Sequence, residues 1–143
     1  MCLTKLLYRL VRFDTSYIIH GRKRLRVLVA DSAAKMILGL MHRKRMGSTD
    51  GMLFMPGREA RHGIWMRNML FSIDILWISK NGTVLDMVEN ARPCSSMFDC
   101  PTYRPLRDSF YVLELGAGRA RAMKIHKGTR LEIAKIKSNK RQI

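Results

Sequence analysis

The sequence predicts a mainly β fold, α+β by content, with two short helices. Runs rich in β-branched and aromatic residues recur along the chain, turns containing glycine or proline separate them, and helix signals occur in two places. With 143 residues, 47% of them hydrophobic, the chain can form a domain with its own core. We therefore expect a single domain over 1–143, with its core over about 22–137 and a basic tail over 138–143.

The first half of the chain is predicted to alternate strands with one helix. Asp31 or Ser32 caps this helix, which carries apolar residues at helical spacing and precedes Gly47. The elements predicted here, in order, are strands over about 5–13 and 23–30, with 17–20 extending the first or standing alone, a helix to about residue 43, and strands over 51–55 and 63–66.

The second half is predicted to contain four strands and a short helix. Gly116 and Gly118 end one strand and open the helix, which Gly128 closes. A Gly-x-Gly turn before a helix also occurs in anion-binding loops, but the remaining glycines of such a motif are missing here, so no cofactor is predicted. The predicted elements are strands over 72–79, 83–89, 109–115 and 129–137, and a helix over 119–125.

Asn81-Gly82 predicts a tight hairpin between the strands at 72–79 and 83–89, because both central residues of a type I′ turn need positive φ. With these two residues as the loop, side-chain alternation fixes the pairing. The predicted pairs are Ile78 with Leu85, Leu76 with Met87, and Asp74 with Glu89.

This register places two carboxylates opposite one another, within about 5.5 Å at Cβ. Such a pair needs a neighbouring cation, a proton or access to water, and Arg67 or Arg92 could supply the cation. It is interpreted either as a salt-bridged strand end or as a functional site. Asp74→Asn and Glu89→Gln are expected to be neutral or stabilising, because each removes one of two facing charges. A salt-bridged strand end would instead allow a change of about 1 to 3 kcal/mol in either direction, and markedly lower melts of both variants would assign the pair to the fold.

The stretch 90–107 contains three prolines and two cysteines, so it is predicted to be an irregular loop, and long loops are often functional. Cys94 and Cys100 are expected to be paired free thiols, with a disulfide possible on oxidation, because an odd total of three cysteines agrees with a reducing compartment. The four histidines are scattered and the cysteine spacing does not fit zinc, so no metal site is predicted.

The net charge of +16 is concentrated at the two ends of the chain. Residues 1–30 carry seven basic residues against one acid, and residues 121–143 carry eight against one. Such ends can bind nucleic acid non-specifically, or anionic lipid, or simply form a solvated basic surface. No apolar run is long enough to span a membrane or to serve as a signal peptide, so a cytoplasmic protein is predicted.

Six motifs in order over about residues 25–135 resemble the uncharacterised conserved family known as domain of unknown function 192. They are GLMHR at 39–43, GMLF at 51–54, WMRN at 65–68, IDILWI at 73–78, C-x5-CP-x-Y at 94–103 and YVLEL-x-AG at 111–118. The sequence departs from the family in Arg67, where lysine is usual, and in Leu70-Phe71-Ser72. The resemblance implies a compact antiparallel β-sandwich or barrel with the helices packed on it, and it supplies no activity.

Three functions are compatible with these features, besides a scaffold or interaction role. The first is a module that binds a small molecule or peptide in an apolar pocket lined by Trp65, Met66, Leu76, Met87 and the loop at 94–104. The second is an enzyme that uses Asp74 and Glu89 as acid and base, and the third is nucleic-acid binding through the basic ends. The candidate ligand-binding residues are Arg43, Trp65, Met66, Arg67, Asn68, Asp74, Glu89, Cys94, Cys100 and Tyr103.

Overall fold

The structure is a computed structural model that describes residues 2–96 and 98–136. It is mainly β, as predicted, and contains three short helices. The helices are α1 (Leu3–Leu10), α2 (Ala33–Leu38) and α3 (Arg119–Ala122). The strands are β1 (Asp14–His20), β2 (Lys23–Ala30), β3 (Gly51–Phe54), β4 (Ile64–Trp65), β5 (Ile73–Ile78), β6 (Val84–Ala91), β7 (Thr102–Tyr103), β8 (Tyr111–Gly116) and β9 (Glu132–Ile133).

Seven strands form one curled sheet in the order β6-β5-β8-β3-β2-β1-β9, while β4 and β7 form a separate small sheet. All pairs in the large sheet are antiparallel except β2 with β3. The chain beside β9 reaches back to β6, because Val84 N donates to Thr129 O and Gly128 N donates to Val84 O, each at 2.8 Å. The sheet is therefore a half-barrel whose two edges meet at one end.

The two faces of the sheet bury separate apolar clusters, because side chains alternate along each strand. The concave face holds residues from β1, β2, β3, β5 and β8, including Leu25, Leu76 and Leu113, and α3 contributes Ala120. The convex face holds Met52, Ile75, Trp77 and Val112, and Leu40, Met66 and Met69 from outside the large sheet pack against them. The two faces therefore offer separate places for a site.

The predictions for β2 and β3 are confirmed, whereas the prediction for the first element is wrong. Residues 5–13 were expected to form a strand, but α1 begins at Leu3 and ends at Leu10. Its leucines at 3, 6, 7 and 10 follow the spacing of one helical face, a period that competes with the imperfect alternation of a strand.

The second helix is shorter than predicted. Ser32 caps it through a hydrogen bond from Lys35 N, but the helix ends at Leu38 rather than near Arg43. Gly39 adopts a φ of +50° there, and a Cβ at this position would lie 3.2 Å from Cζ of Phe54. Glycine therefore allows the chain to turn sharply over the Phe54 ring.

The hairpin between β5 and β6 is confirmed, but its predicted turn type and most of its predicted register are wrong. Asn81 does not have positive φ, Gly82 N donates to Ser79 O, and Ser79 N donates to Thr83 O, so the loop has three residues, 80–82. Ile78 consequently pairs with Val84 rather than Leu85, whereas Leu76 pairs with Met87 as predicted. A second irregularity between Ile73 and Ile75 removes the predicted pairing of Asp74 with Glu89.

The loop at 90–107 and the last strand also differ from the predictions. The loop at 90–107 contributes the short strand β7, and Cys94 and Cys100 form a disulfide rather than remaining free thiols. The last strand covers two residues of the predicted 129–137, and the predicted tail at 138–143 lies outside the described residues. Over the ranges 2–96 and 98–136, no helix is both long and apolar enough to cross a membrane.

Candidate functional site

Glu114 is a carboxyl group in the middle of β8, an otherwise apolar strand. Its neighbours in the sheet are Met52 on β3 and Ile75 on β5, so it points to the convex face. The side chain is 5% exposed and forms no hydrogen bond or ion pair with the described residues. Burial raises the pKa of Glu114 to about 8, because the charged form loses its hydration and no cation replaces it.

Glu114 lines a cavity of about 210 Å³ between the convex face and the segment that follows α2. The other walls are almost entirely apolar, and they come from α2, from the turn after it, and from β3 and β4. They consist of Met36, Ile37, Leu38, Gly39, Leu40, Met41, Phe54, Gly63, Ile64, Trp65 and Met69. The carboxyl is therefore the only ionisable side chain lining this part of the described structure.

Three local features hold the walls of this cavity in place. Trp77, fully buried on β5, donates its indole Nε1 hydrogen to the carbonyl of His62 at 2.7 Å, which fixes the start of β4 against the large sheet. Ile64 then pairs with Tyr103, so β7 supports β4 from the other side. On the opposite wall, the turn at Gly39 lies against Phe54, as described above.

Trp65 lies at the rim of the cavity and is 46% exposed. The Arg67 guanidinium stands 5.5 Å from the centre of its ring, within the range of a cation–π contact. Large aromatic surfaces that stay exposed at the mouth of an apolar cavity are available for contact with a ligand. The site thus combines an apolar wall, an exposed aromatic rim and one buried carboxyl.

The chemistry of the site follows from the protonation of Glu114. At neutral pH a carboxyl with a pKa of about 8 is mostly protonated, so it can donate one hydrogen bond and accept others. A ligand that brings a cationic group would favour the carboxylate and release the proton. The group can therefore hold either a neutral polar group or a cation.

The structure brings seven of the predicted ligand-binding residues into one region. Cys94 N donates to Met66 O at 3.1 Å, and the backbones of Arg67 and Cys94 form an isolated parallel β-bridge. Asn68 accepts a hydrogen bond from His42 N at its carbonyl and has a φ of +59°. This region, around β4 and β7, contains Trp65, Met66, Arg67, Asn68, Cys94, Cys100 and Tyr103. Of these, Trp65 lines the cavity that contains Glu114.

Asp74 and Glu89 lie apart from that region, and each has partners of its own. Asp74 is fully buried near α3, where its carboxylate accepts hydrogen bonds from Asn90 N at 2.9 Å and Ala120 N at 3.1 Å. Glu89 is half-exposed and pairs with Arg121 at 3.4 Å. Leu76 and Met87 also face the concave side, away from Met66, so the predicted pocket is not formed as a single cavity.

Arg43, the remaining candidate, packs beside α1 rather than beside Glu114. Its guanidinium lies 5.8 Å from the ring of Tyr8 and 5.6 Å from that of Phe13. Its Nε atom is buried without a hydrogen-bond acceptor among the described residues.

Sequence reasoning missed Glu114, although the signal was present. Residues 110–115, FYVLEL, predict a strand with Phe110, Val112 and Glu114 on one face, and a carboxyl amid apolar residues on a buried strand requires an explanation. Asp74, in IDILWI, is also a carboxyl amid apolar residues on a strand, and it was predicted as a candidate site residue instead. The two can be told apart only by their partners, which belong to distant segments.

A larger groove of about 1140 Å³ lies between the 80–82 turn and residues 130–136. Its charged residues, Lys80, Arg130, Glu132 and Lys135, are all exposed. Because these charged side chains are hydrated, the groove has fewer groups that would orient a ligand than the smaller cavity at Glu114.

The fold and the cavity define a small β half-barrel domain with an apolar cavity on the convex face of its sheet. The chain belongs to the DUF192 family, described as "Uncharacterized ACR", whose model matches residues 16–133. No curated protein sequence matches the chain.

Two solved structures are similar to this fold. One is a protein from Sinorhizobium meliloti 1021 described as a "putative transcription regulator", with 30% identity, a TM-score of 0.77, and coverage of 86% of this chain and 96% of the other. The second is a protein of unknown function from Novosphingobium aromaticivorans DSM 12444, with 24% identity, a TM-score of 0.70 and coverage of 84% of each chain. The second likeness shows the fold alone.

Proposed function

We propose that this domain binds a small, mostly apolar ligand that presents one amine to Glu114. The observation that carries the proposal is the buried carboxyl without a partner on the wall of an apolar cavity. A ligand that supplies a partner to this carboxyl gains free energy on binding, because a hydrogen bond to a charged group contributes about 1.5 to 3 kcal/mol. Drug-sized pockets are about 300 to 1,000 Å³, so a cavity of about 210 Å³ suits a short alkylamine or a single side chain of a peptide.

Arg67 and Asn68 retain a part in this proposal through the rim rather than through the cavity wall. Arg67 lies over the Trp65 ring, and its isolated β-bridge with Cys94 ties the segment after β4 to the disulfide loop. A ligand longer than the cavity would meet Trp65 first and then Arg67. The acid–base enzyme hypothesis receives less support, because Asp74 accepts hydrogen bonds from two backbone amides and Glu89 pairs with Arg121.

The proposal is tested by titrating the protein with n-pentylamine and n-pentanol while recording amide NMR shifts. We expect the amine to shift the resonances of Trp65 and its neighbours. Its affinity should rise about tenfold for each pH unit between 6 and 8, because binding the cation releases one proton from Glu114. Glu114→Gln should abolish this pH dependence, and Glu89→Gln, at a half-exposed carboxylate elsewhere, serves as the matched control.

The proposal would be overturned by an affinity for the amine that does not change with pH, by an equal affinity for pentanol at pH 8, or by full binding by Glu114→Gln. Shifts confined to the groove at 130–136 would likewise place the ligand elsewhere.

Nucleic-acid binding is the second candidate function, favoured by the description of the Sinorhizobium relative. In the β1–β2 hairpin, Arg22, Lys23, Arg24 and Arg26 are exposed, and Arg24 lies 4.3 Å from the centre of the Tyr17 ring. Duplex DNA should bind at low salt and dissociate by about 0.5 M salt, because phosphate contacts release counterions. Neutralising Arg22–Arg26 should weaken binding. Affinity that survives high salt would contradict this electrostatic origin.

A further inference from the structure

Helix α1 carries an apolar stripe that the rest of the protein leaves uncovered. No residue of α1 is buried, and Leu3, Leu6 and Leu10 are between 45% and 70% exposed. At 100° per residue these three side chains fall within a 60° arc, while Lys5 and Arg9 lie about 130° and 90° from the centre of that arc, along one side of the stripe. The helix is therefore amphipathic, with its apolar face toward solvent.

The helix is held by its flank, which leaves the stripe free. Thr4 Oγ1 lies 2.7 Å from Nε2 of His42, and Leu7 is partly buried. The Arg43 guanidinium approaches Tyr8 on α1 and Phe13 just after it. These contacts orient α1 on the body of the domain without using Leu3, Leu6 or Leu10.

The same contacts gather positive charge around the stripe. Residues 2–13 contain Lys5, Arg9 and Arg12 and no acid. Arg43, seated beside α1, begins the basic run Arg43-Lys44-Arg45, of which Lys44 and Arg45 are exposed. The apolar stripe thus lies in a patch of one sign of charge that comes from two separate segments.

We propose that α1 is a membrane-surface anchor that seats the domain on a bilayer containing anionic lipid. Leucines on one face, with lysine and arginine along its side, match the acyl boundary and the phosphate layer of such a surface. A second copy of the chain would bring an equally basic patch against this one and be repelled. Nucleic acid would engage the cations but leave the three leucines in water.

The experiment measures partitioning of the full chain onto vesicles by sedimentation. The vesicles contain phosphatidylglycerol and phosphatidylcholine at about 3:7, and vesicles of phosphatidylcholine alone are compared with them. A polarity-sensitive dye on Cys2, the exposed free cysteine of the described residues, reports insertion. We expect strong partitioning onto the anionic vesicles with a blue shift of the dye.

Two matched variants separate insertion from simple charge attraction. The triple variant L3S/L6S/L10S keeps every charge and alters exposed positions only, and it should partition at least about tenfold more weakly, without the blue shift. The control R22Q/R24Q removes two exposed cations from the β1–β2 hairpin and should stay within about threefold of the unmodified chain. Both variants should keep the thermal melt of the unmodified protein.

Three results would overturn the proposal. The first is a triple variant that binds anionic vesicles as well as the unmodified chain, which would reduce the contact to general electrostatics. The second is a concentration-dependent dimer that disappears in the triple variant, which would assign the stripe to a second copy. The third is partitioning without any change in the dye at Cys2.

Discussion

Asp74 and Glu114 are buried carboxyl groups on the adjacent strands β5 and β8, and they have opposite surroundings. Asp74 faces the concave side and accepts hydrogen bonds from two backbone amides, one of them at the start of α3. Glu114 faces the convex side, where no described donor reaches it, and its pKa is raised to about 8. The burial of a carboxyl therefore does not by itself make it a candidate for a functional site, whereas burial together with the absence of partners does.

The largest expected effect is on the structural carboxylate. Asp74→Asn should lower the free energy of unfolding by about 2 to 4 kcal/mol, because an amide can accept only with its oxygen and would leave one buried N–H unsatisfied. This reverses the expectation from the predicted pairing, in which the same change was neutral or stabilising. Urea denaturation at pH 7 measures the difference. A variant as stable as the unmodified protein would remove the structural role assigned to Asp74.

Glu114→Gln should behave in the opposite way, with an effect that depends on pH. Because the folded-state pKa lies above the ordinary value of 4.5, the folded state binds the proton more tightly than the unfolded chain. The contribution of Glu114 is fully present below pH 4.5 and is lost as the pH rises to about 8. The variant should therefore gain about 2 to 4 kcal/mol relative to the unmodified protein between pH 4.5 and pH 8.5.

Urea denaturation at those two pH values, with both proteins in the same buffers, checks this prediction. A constant difference between the two proteins would mean that Glu114 is hydrated or paired. That result would remove the difference drawn between Asp74, which has hydrogen-bond partners, and Glu114, which has none among the described residues.

Substitution of Glu89 is expected to change stability least, and it serves as the reference for the variants of Asp74 and Glu114. Its pair with Arg121 is largely exposed, so Glu89→Gln should change stability by no more than about 0.5 kcal/mol. A thermal melt at low and high salt checks this. A loss comparable to that of Asp74→Asn would restore a structural role to Glu89.

A related test concerns the attachment of α1. Burial, followed by the charge of Lys5, lowers the pKa of His42 from 6.5. The folded state therefore disfavours the protonated ring, and the stability that His42 contributes is lost as the pH falls below that value. Amide protons of α1 should be less protected at pH 5 than at pH 7.5, after division by the intrinsic exchange rate at each pH, and Thr4→Ala should reduce this difference. Exchange rates with no dependence on pH beyond intrinsic chemistry would contradict it.

The sequence predicted the elements whose pattern is local and missed features that depend on distant partners. The strand Lys23–Ala30 has the predicted ends, and the buried character of β3 follows from its apolar run. The register of the hairpin was wrong because Gly82 alone takes positive φ, and Asn81 instead caps the turn by accepting from Thr83 N. That difference of one residue in the loop changes the pairing of Ile78.

The candidate site was predictable only in part for the same reason. Trp65 could be proposed from its motif, but the role of Glu114 depends on α2 and β4 closing over β8. The disulfide of Cys94 with Cys100 likewise depends on the fold of a loop that showed no regular pattern. Residue type thus indicated which side chains could bind or react, whereas their partners in the folded structure determined the role of each.

The contact between Gly82 and Leu131 has a consequence for the order of folding. Leu131 N donates to Gly82 O at 2.8 Å, and a Cβ on Gly82 would collide with the Leu131 carbonyl. The β5–β6 hairpin can form early because its strands are neighbours in the chain, but its tip is completed only when a segment about fifty residues later arrives. During synthesis the backbone of the turn at Gly82 therefore stays unpaired on one side until the segment at Leu131 has left the ribosome.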